Sequence, residues 1–453
     1  MDIDLTKGSL NEHFKKISIP ASIGFLFNTF YNVVDSIYAG QLGTDALAGM
    51  AISFPIFFLI ISISSGLGNG TTALSAIAIG KKDSLGFHNI AINVLVLGAI
   101  FGLIIPLLSP FYLEGLFSLT GASGSVLQVG LDYTNTILIG SMFFIFNNAL
   151  YGMLSAQGLT KPFRNYLIAG FILNIILDPM LMYGWLGLPA MGVAGVALAT
   201  VIIQFSGSIY LLYHVIKSNA FHSNILKKAR VTFRTMRDIL AQGIPASLNM
   251  ATIAIGVFII NYFVLQYGGE STVAAYGVSM RIEQIALIPT IGLNVAVLSI
   301  TGQNFGAENF ERIDQTRQKG IKYGVIIMLI GTIIIWPLAP YLIRIFDSNP
   351  DVIAAGTLYL RIEAIAFTTY VFININVSIL QGIKKPRFAI YLGIYRQILP
   401  IGIFYLLGTI FGWGVFGVWI GIVIINWSAV FISHYYTKHQ LSLQKANQLI
   451  TTI

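Results

Sequence analysis

The segment NTFYNVVDSIYAG, residues 28–40, reads as a buried apolar helix except for one carboxylate, Asp35, and no Lys or Arg stands within a dozen residues on its N-terminal side. A second isolated acid, Asp178, stands in NIILDPMLMYG, residues 174–184. At helical spacing Asn28, Tyr31, Asn32 and Asp35 fall at i, i+3, i+4 and i+7 and form one stripe, while Asn174 and Asp178 are four apart and share a face. Asn147, Asn148 and Thr200 are further polar groups placed to join the same pocket. Burial disfavours a carboxylate's charged form, and a second carboxylate nearby disfavours two charges together. Such a pair would hold a proton near neutral pH and release it when opened to water. With amide and hydroxyl oxygens beside them, Asp35, Asn174 and Asp178 would also suit a bare Na⁺. The blander reading is structural: each Asp satisfies backbone near a helix end, with Pro179 freeing a carbonyl beside Asp178. For Asn147, Asn148 and Thr200 it is glue between membrane helices.

A helical setting for these acids requires a membrane. Of 453 residues 56% are hydrophobic and 10% charged, with a mean hydropathy of +0.79. Soluble domains carry roughly 25% charged residues, so this chain has too few to cover an aqueous surface. Apolar runs of about 20 residues, enough to cross ~30 Å of hydrocarbon, recur from end to end. Punctuation by Gly, Pro and charge predicts twelve helices, near 14–39, 46–79, 89–111, 126–156, 163–184, 190–216, 239–267, 272–303, 320–343, 353–380, 388–408 and 413–436. An ionised acid at that depth costs about 2.5–3.5 kcal/mol on insertion scales, so its retention needs a reason. Cysteine is absent, which excludes disulfides and thiolate metal sites, and no HExxH or GxxxxGK[ST] pattern points to a metalloenzyme or an ATP-driven pump.

The net charge of +8 is explained by topology rather than by nucleic acid. Alternate loops carry the bases: Lys81 and Lys82, Lys161 and Arg164, the run from Lys217 to Arg237, Arg312 to Lys322, and Lys384 to Arg387. The intervening loops lack Lys and Arg, except the one near Arg344. This bias predicts cytoplasmic basic loops and cytoplasmic termini, which an even number of spans permits. The 217–238 stretch is expected to be a cytoplasmic linker between lobes at 1–216 and 239–453, lying against anionic headgroups.

The two halves repeat. IPAS at 19–22 returns at 244–247, TDALAGMAIS at 44–53 resembles STVAAYGVS at 271–279, QGLTKP at 157–162 returns as QGIKKP at 381–386, and GVAGVALAT from Gly192 resembles GVFGVWIGI from Gly414. The offsets lie between 222 and 226 residues, which is six helices, so both copies have the same orientation. The chain is predicted to be an all-α membrane protein of two parallel six-helix bundles, a plan used by transporters that rock around a central site. The acids are not repeated: the same offsets take Asp35 to Ile260 and Asp178 to Gly402. The second half instead carries MRIEQIA (280–286), LRIEAIA (360–366) and Arg396. Residues two apart on a helix point away from each other, so Arg281 and Arg361 are expected to pair with acids on other helices rather than with Glu283 and Glu363. Asn148, Arg281, Glu283, Arg361, Glu363 and Arg396 are therefore candidates for a second or substrate site, set against a structural ion network.

These repeated motifs resemble the multidrug and toxic compound extrusion (MATE) family over essentially the full length, with YNVVDSIYAG and NIILDPMLMYG most similar to its DinF-like branch. The resemblance implies an antiporter that expels amphipathic, often cationic, compounds from the cytoplasm while H⁺ or Na⁺ enters, H⁺ being expected here. It also implies coupling at Asp35, Asn174 and Asp178, beside which the helical stripe and polar neighbours add Asn28, Tyr31 and Thr200, and a first helix that is straight or bent, for which Pro20 is the candidate hinge. No cofactor is implied beyond the transported ion. The partners implied are the bilayer of a prokaryotic cytoplasmic membrane and small organic substrates, with the protein acting as a monomer and without nucleic acid. The 31 Phe, 21 Tyr and 11 Met suit a broad apolar cavity. A Na⁺-coupled exporter is the alternative of the same class. A lipid-linked oligosaccharide flippase is the other, kept open by Arg281, Arg361 and Arg396.

Overall fold

The computed structural model describes residues 4–119 and 121–451, which form helices and turns with no strand. The helices are α1 (Leu10–Gln41), α2 (Thr44–Gly80), α3 (Ser84–Leu119), α4 (Gly124–Ile139), α5 (Ser141–Ala156), α6 (Lys161–Tyr183), α7 (Val193–Ile216), α8 (Ser223–Leu226), α9 (Phe233–Gly306), α10 (Phe310–Arg344), α11 (Pro350–Gly382), α12 (Arg387–Tyr405) and α13 (Gly414–Thr451). A helix satisfies its backbone internally, as hydrocarbon demands. Among the described residues ten helices are long and apolar enough to cross a membrane, and eleven spans result when α4 and α5, bent by 45°, count as one. Taking α9 as its two halves gives the expected twelve, because this 74-residue element breaks at Gly269 (φ 72°, ψ −173°) inside the expected QYGGES loop.

The span expected at 126–156 is thus bent, at Gly140. A Cβ on Gly140 would lie 2.4 Å from Val201 on α7, so glycine lets α7 press into the bend. Helix α3 runs to Leu119, well past its expected end.

The chain divides into two compact units, Met1–Lys7 with Ile23–Ser247, and Gly8–Ser22 with Leu248–Ile453. The division falls inside α1, two residues after Pro20, and α1 stays helical through that proline. In the first unit α2 and α5 approach backbone to backbone: a Cβ on Gly152 would meet Gly68 O at 2.6 Å. A core of buried residues, including Ile56, Ile60, Phe117, Ile137 and Phe144, fills the space beside them. The 217–238 stretch is strapped to α3. His222 N donates to His88 Nε2, Arg230 N to Asn89 Oδ1 and Thr232 N to Asn93 Oδ1, each at 2.9 Å.

The repeat is written in matching hydrogen bonds. Ser53 Oγ bonds Gly49 O at 2.7 Å and Gly130 O at 3.3 Å. In the second unit Ser279 Oγ bonds Ala275 O at 2.7 Å and Gly356 O at 3.5 Å. The two partners are 77 residues apart in each case. Both serines close the motifs whose likeness revealed the duplication.

Candidate functional site

The acids sit on faces set by the helical repeat. On α1 Tyr31, Asp35 and Ala39 are all buried at steps of four, and on α6 Tyr166, Gly170, Asn174 and Asp178 are buried in the same way. Two phenols brace the pair of helices near this end: Tyr38 donates to Ile175 O and Tyr183 to Gln41 Oε1, both at 3.0 Å. Asp35 is 5% exposed, and Asn174 and Asp178 are completely buried.

One amide joins the two acids. Asn174 Nδ2 donates to Asp35 Oδ1 and to Asp178 Oδ1, both at 2.8 Å. Tyr31 donates to Thr200 Oγ1 on α7 at 2.8 Å. That leaves the Thr200 hydroxyl hydrogen for Asp35, which lies within hydrogen-bonding reach of both Thr200 and Asp178. Two acceptors remain unmet, Asn174 Oδ1 and Asp178 Oδ2. Among the described residues no cationic side chain acts on either carboxyl group. Carboxyl groups in such contact repel unless a proton or a cation stands between them. The geometry therefore makes a receptor for one small positive species, and it brings together Asp35, Asp178, Asn174, Tyr31 and Thr200.

Asn28 is not part of it. Asn28 and Asn32 are exposed, and Asn32 Nδ2 donates back to Asn28 O at 3.0 Å. The expected stripe is two stripes: Asn28, Asn32 and Ser36 follow one line of four-residue steps, and Tyr31, Asp35 and Ala39 the neighbouring one. Asn147 is also elsewhere. It donates to Gln204 Oε1 at 2.6 Å and to the Tyr166 hydroxyl at 3.2 Å, and its Oδ1 accepts from Ser208 at 2.9 Å. Tyr166 completes the cluster by donating to Gln204 Oε1 at 2.7 Å. Tyr166 precedes Asp178 by twelve residues, about 18 Å along α6, so this is a second polar layer toward the basic end of the lobe. Asn148 turns back on α5, donating to Phe144 O at 3.0 Å.

Sequence reasoning missed Tyr166, Gln204 and Ser208, and also Tyr133, a buried tyrosine of α4 within electrostatic reach of both acids. The signal for the first three was present as four-residue steps: Thr200, Gln204 and Ser208 on α7, and Tyr166 two such steps before Asn174. A sequence reading has no comparable signal for Tyr133.

The second unit holds the other carboxyl groups. Tyr359 donates to Glu283 Oε2 at 3.0 Å and Tyr370 to Glu363 Oε1 at 2.8 Å. The Arg396 guanidinium stacks over the Tyr370 ring at 5.3 Å, bonds Asn426 Oδ1 at 3.1 Å, and reaches both glutamates electrostatically. Arg281 and Arg361 do not join them, which corrects the expectation that both pair with acids. Arg281 is exposed. Arg361 donates to Trp336 O at 3.2 Å and lies over the Trp336 ring at 4.9 Å. Neither Arg281 nor Arg361 forms an ion pair with a described residue, so the charges gathered in this half are Glu283, Glu363 and Arg396.

A bundle of membrane-length helices in two repeated units, one holding a carboxyl pair without a counter-charge, defines a polytopic transporter. The comparisons agree. The chain belongs to the MatE family, whose sequence profile matches residues 20–180 and 245–406, a family of multidrug efflux transporters. It is 30% identical to the probable multidrug resistance protein YpnP of Bacillus subtilis (strain 168), over 92% of this chain and 91% of that protein. It is 23% identical to the multidrug export protein MepA of Staphylococcus haemolyticus (strain JCSC1435), over 97% of each. A solved outward-facing multidrug resistance MATE family transporter of the MOP superfamily superposes with a TM-score of 0.91 and 28% identity, covering 98% of this chain and 99% of the other.

Proposed function

We propose that the protein is a proton-coupled antiporter that exports amphipathic, often cationic, compounds from the cytoplasm by alternating access. The observation that carries this reading is the Asp35–Asn174–Asp178 arrangement: two buried carboxyl groups share one amide, and no base among the described residues neutralises them. A proton shared between the acids leaves the site a single negative charge and lets it stay compact. Its loss to the other side of the membrane leaves two negative charges that push apart and draw in water. Because Asp35 is on α1 and Asp178 on α6, that repulsion acts between helices. Helix α1 is then free to bend near Pro20, where the ring removes a backbone hydrogen bond. The excess of Lys and Arg in alternate loops supports cytoplasmic termini, and a prokaryotic cytoplasmic membrane is the location this reading takes.

Na⁺ coupling at the same residues is the second reading, favoured by the unmet Asn174 Oδ1 and Asp178 Oδ2. Rotating the Asn174 amide would turn its oxygen toward a cation and complete an oxygen-only set. Ethidium efflux from proteoliposomes, driven separately by an imposed pH gradient and an imposed Na⁺ gradient, tests both. The expected result is efflux driven by the pH gradient and reduced to the level of empty vesicles in Asp35→Asn. Efflux under Na⁺ alone would select the second reading, and efflux under neither gradient would reject both.

A further inference from the structure

Arg344 is the one base at its end of the second unit's helices, opposite the Lys384–Arg387 loop, and nothing in the antiport scheme uses it. It ends α10, is exposed, and forms no hydrogen bond or ion pair with the described residues. The nearby acids leave it alone: Asp347 Oδ1 accepts from Asn349 N at 2.8 Å, and Asp351 is exposed at the start of α11. Arg361 lies eleven residues into α11, about 16 Å along the helix. Its one hydrogen bond to the described residues is from Nε to Trp336 O, while its guanidinium lies over the Trp336 ring.

These two arginines line one groove. It measures about 580 Å³ and runs between α10 and α11, with Pro340, Arg344, Ser348, Thr357 and Arg361 on its walls. Thr357 Oγ1 is buried on that wall without a hydrogen-bonding partner. The groove thus holds two guanidinium groups with free N–H donors and a hydroxyl with nothing to bond, and no carboxylate lines it. Guanidinium forks match the paired oxygens of a phosphate group. The surroundings say what carries that phosphate. This end of α10 exposes Ile333, Trp336 and Tyr341, and the turn after it Ile345 and Phe346, an apolar and aromatic surface of the kind that meets lipid at a membrane interface. A soluble anion gains nothing from that surface, whereas acyl chains do.

We propose that this groove binds the phosphate group of an anionic phospholipid, in the leaflet opposite the basic loops. Arg344 and Arg361 hold its oxygens, Thr357 donates its hydroxyl, and the exposed face of α10 receives the chains. The positive charge that breaks the loop pattern is then part of a lipid site.

Native mass spectrometry of the delipidated, detergent-solubilised full chain titrated with phosphatidylglycerol or phosphatidylcholine tests this. The wild type is expected to hold one phosphatidylglycerol tightly. The double variant Arg344→Gln/Arg361→Gln should bind it roughly tenfold more weakly, equivalent to about 1.4 kcal/mol. Thr357→Val should give a smaller loss, and phosphatidylcholine binding should not differ among these proteins. Arg281→Gln removes an exposed arginine outside the groove and should bind as the wild type does. Equal phosphatidylglycerol binding by the double variant and the wild type, or an equal loss in Arg281→Gln, would overturn the site. Displacement of the lipid by millimolar inorganic phosphate would identify a soluble anion as the ligand and overturn the lipid assignment. Thr357→Val keeps the test decisive should the double variant fail to elute as a monodisperse species.

Discussion

The molecule keeps two pairs of acids among its helices, Asp35 with Asp178 and the half-buried Glu283 with the buried Glu363, and surrounds them differently. Asp35 and Asp178 compete for one amide, with two acceptors left over and no base in reach. Glu283 and Glu363 each receive a phenol, and both feel the Arg396 guanidinium. The guanidinium offsets one of that pair's two charges, so it has less need of a cation than a pair with no base beside it. An unbalanced pair needs one each time it is closed from water. The duplication gave both halves the same helical plan, and divergence of side chains left a carboxyl pair with no described base beside it in only one of them. On this account the first pair runs the transport cycle and the second holds its unit together.

The strongest way to break that contrast is Asp178→Asn. It leaves one carboxyl group facing an amide, able to take a proton but no longer forced apart from its neighbour. Efflux driven by a pH gradient should fall at least ~10-fold, about 1.4 kcal/mol in the coupled step, with the protein still folded by size exclusion. Unchanged efflux in this variant would remove Asp178 from the coupling pair.

Next is Gly207→Ala. A Cβ there would lie 2.2 Å from the Tyr166 ring, so the methyl must displace the phenol that bonds Gln204 and meets Asn147. Overpacking of this kind costs about 1–3 kcal/mol, seen as a lower melting temperature. Retention of wild-type stability would show that the second polar layer is loosely held.

The smallest effect on transport should come from Glu363→Gln. It keeps an acceptor for the Tyr370 hydroxyl but discards the charge that Arg396 faces. Stability should drop by roughly 1–3 kcal/mol, the range for an imperfectly satisfied buried group, while pH-driven efflux stays within about twofold. A loss of coupling as large as that of Asp178→Asn would erase the difference between the two pairs.

Much of this was legible in the letters. Apolar length and the alternation of basic loops located the spans, and repeated tetrapeptides located the duplication, because hydrocarbon tolerates few patterns. Asp35, Asn174 and Asp178 stood out as isolated polar letters in apolar runs, and the structure brings them into contact. Asn28 did not follow, because i+3 and i+4 steps together span two adjacent stripes and packing buries only one. Asn147 took the blander of its two readings, bonding Gln204 and Ser208 on α7 and Tyr166 on α6 rather than the acids. Arg361 shows the same limit. Two-residue spacing says that it points away from Glu363, but not that a tryptophan and an open groove lie on the other side.

On the proposed mechanism the Asp35–Asp178 pair takes up the cation that substrate displaces. The direct measurement is proton release on adding ethidium to purified protein in weakly buffered, Na⁺-free detergent solution, read by a pH-sensitive dye. The account predicts release by the wild type and by Glu363→Gln, and none by Asp35→Asn. Release of the same number of protons by Asp35→Asn would contradict it.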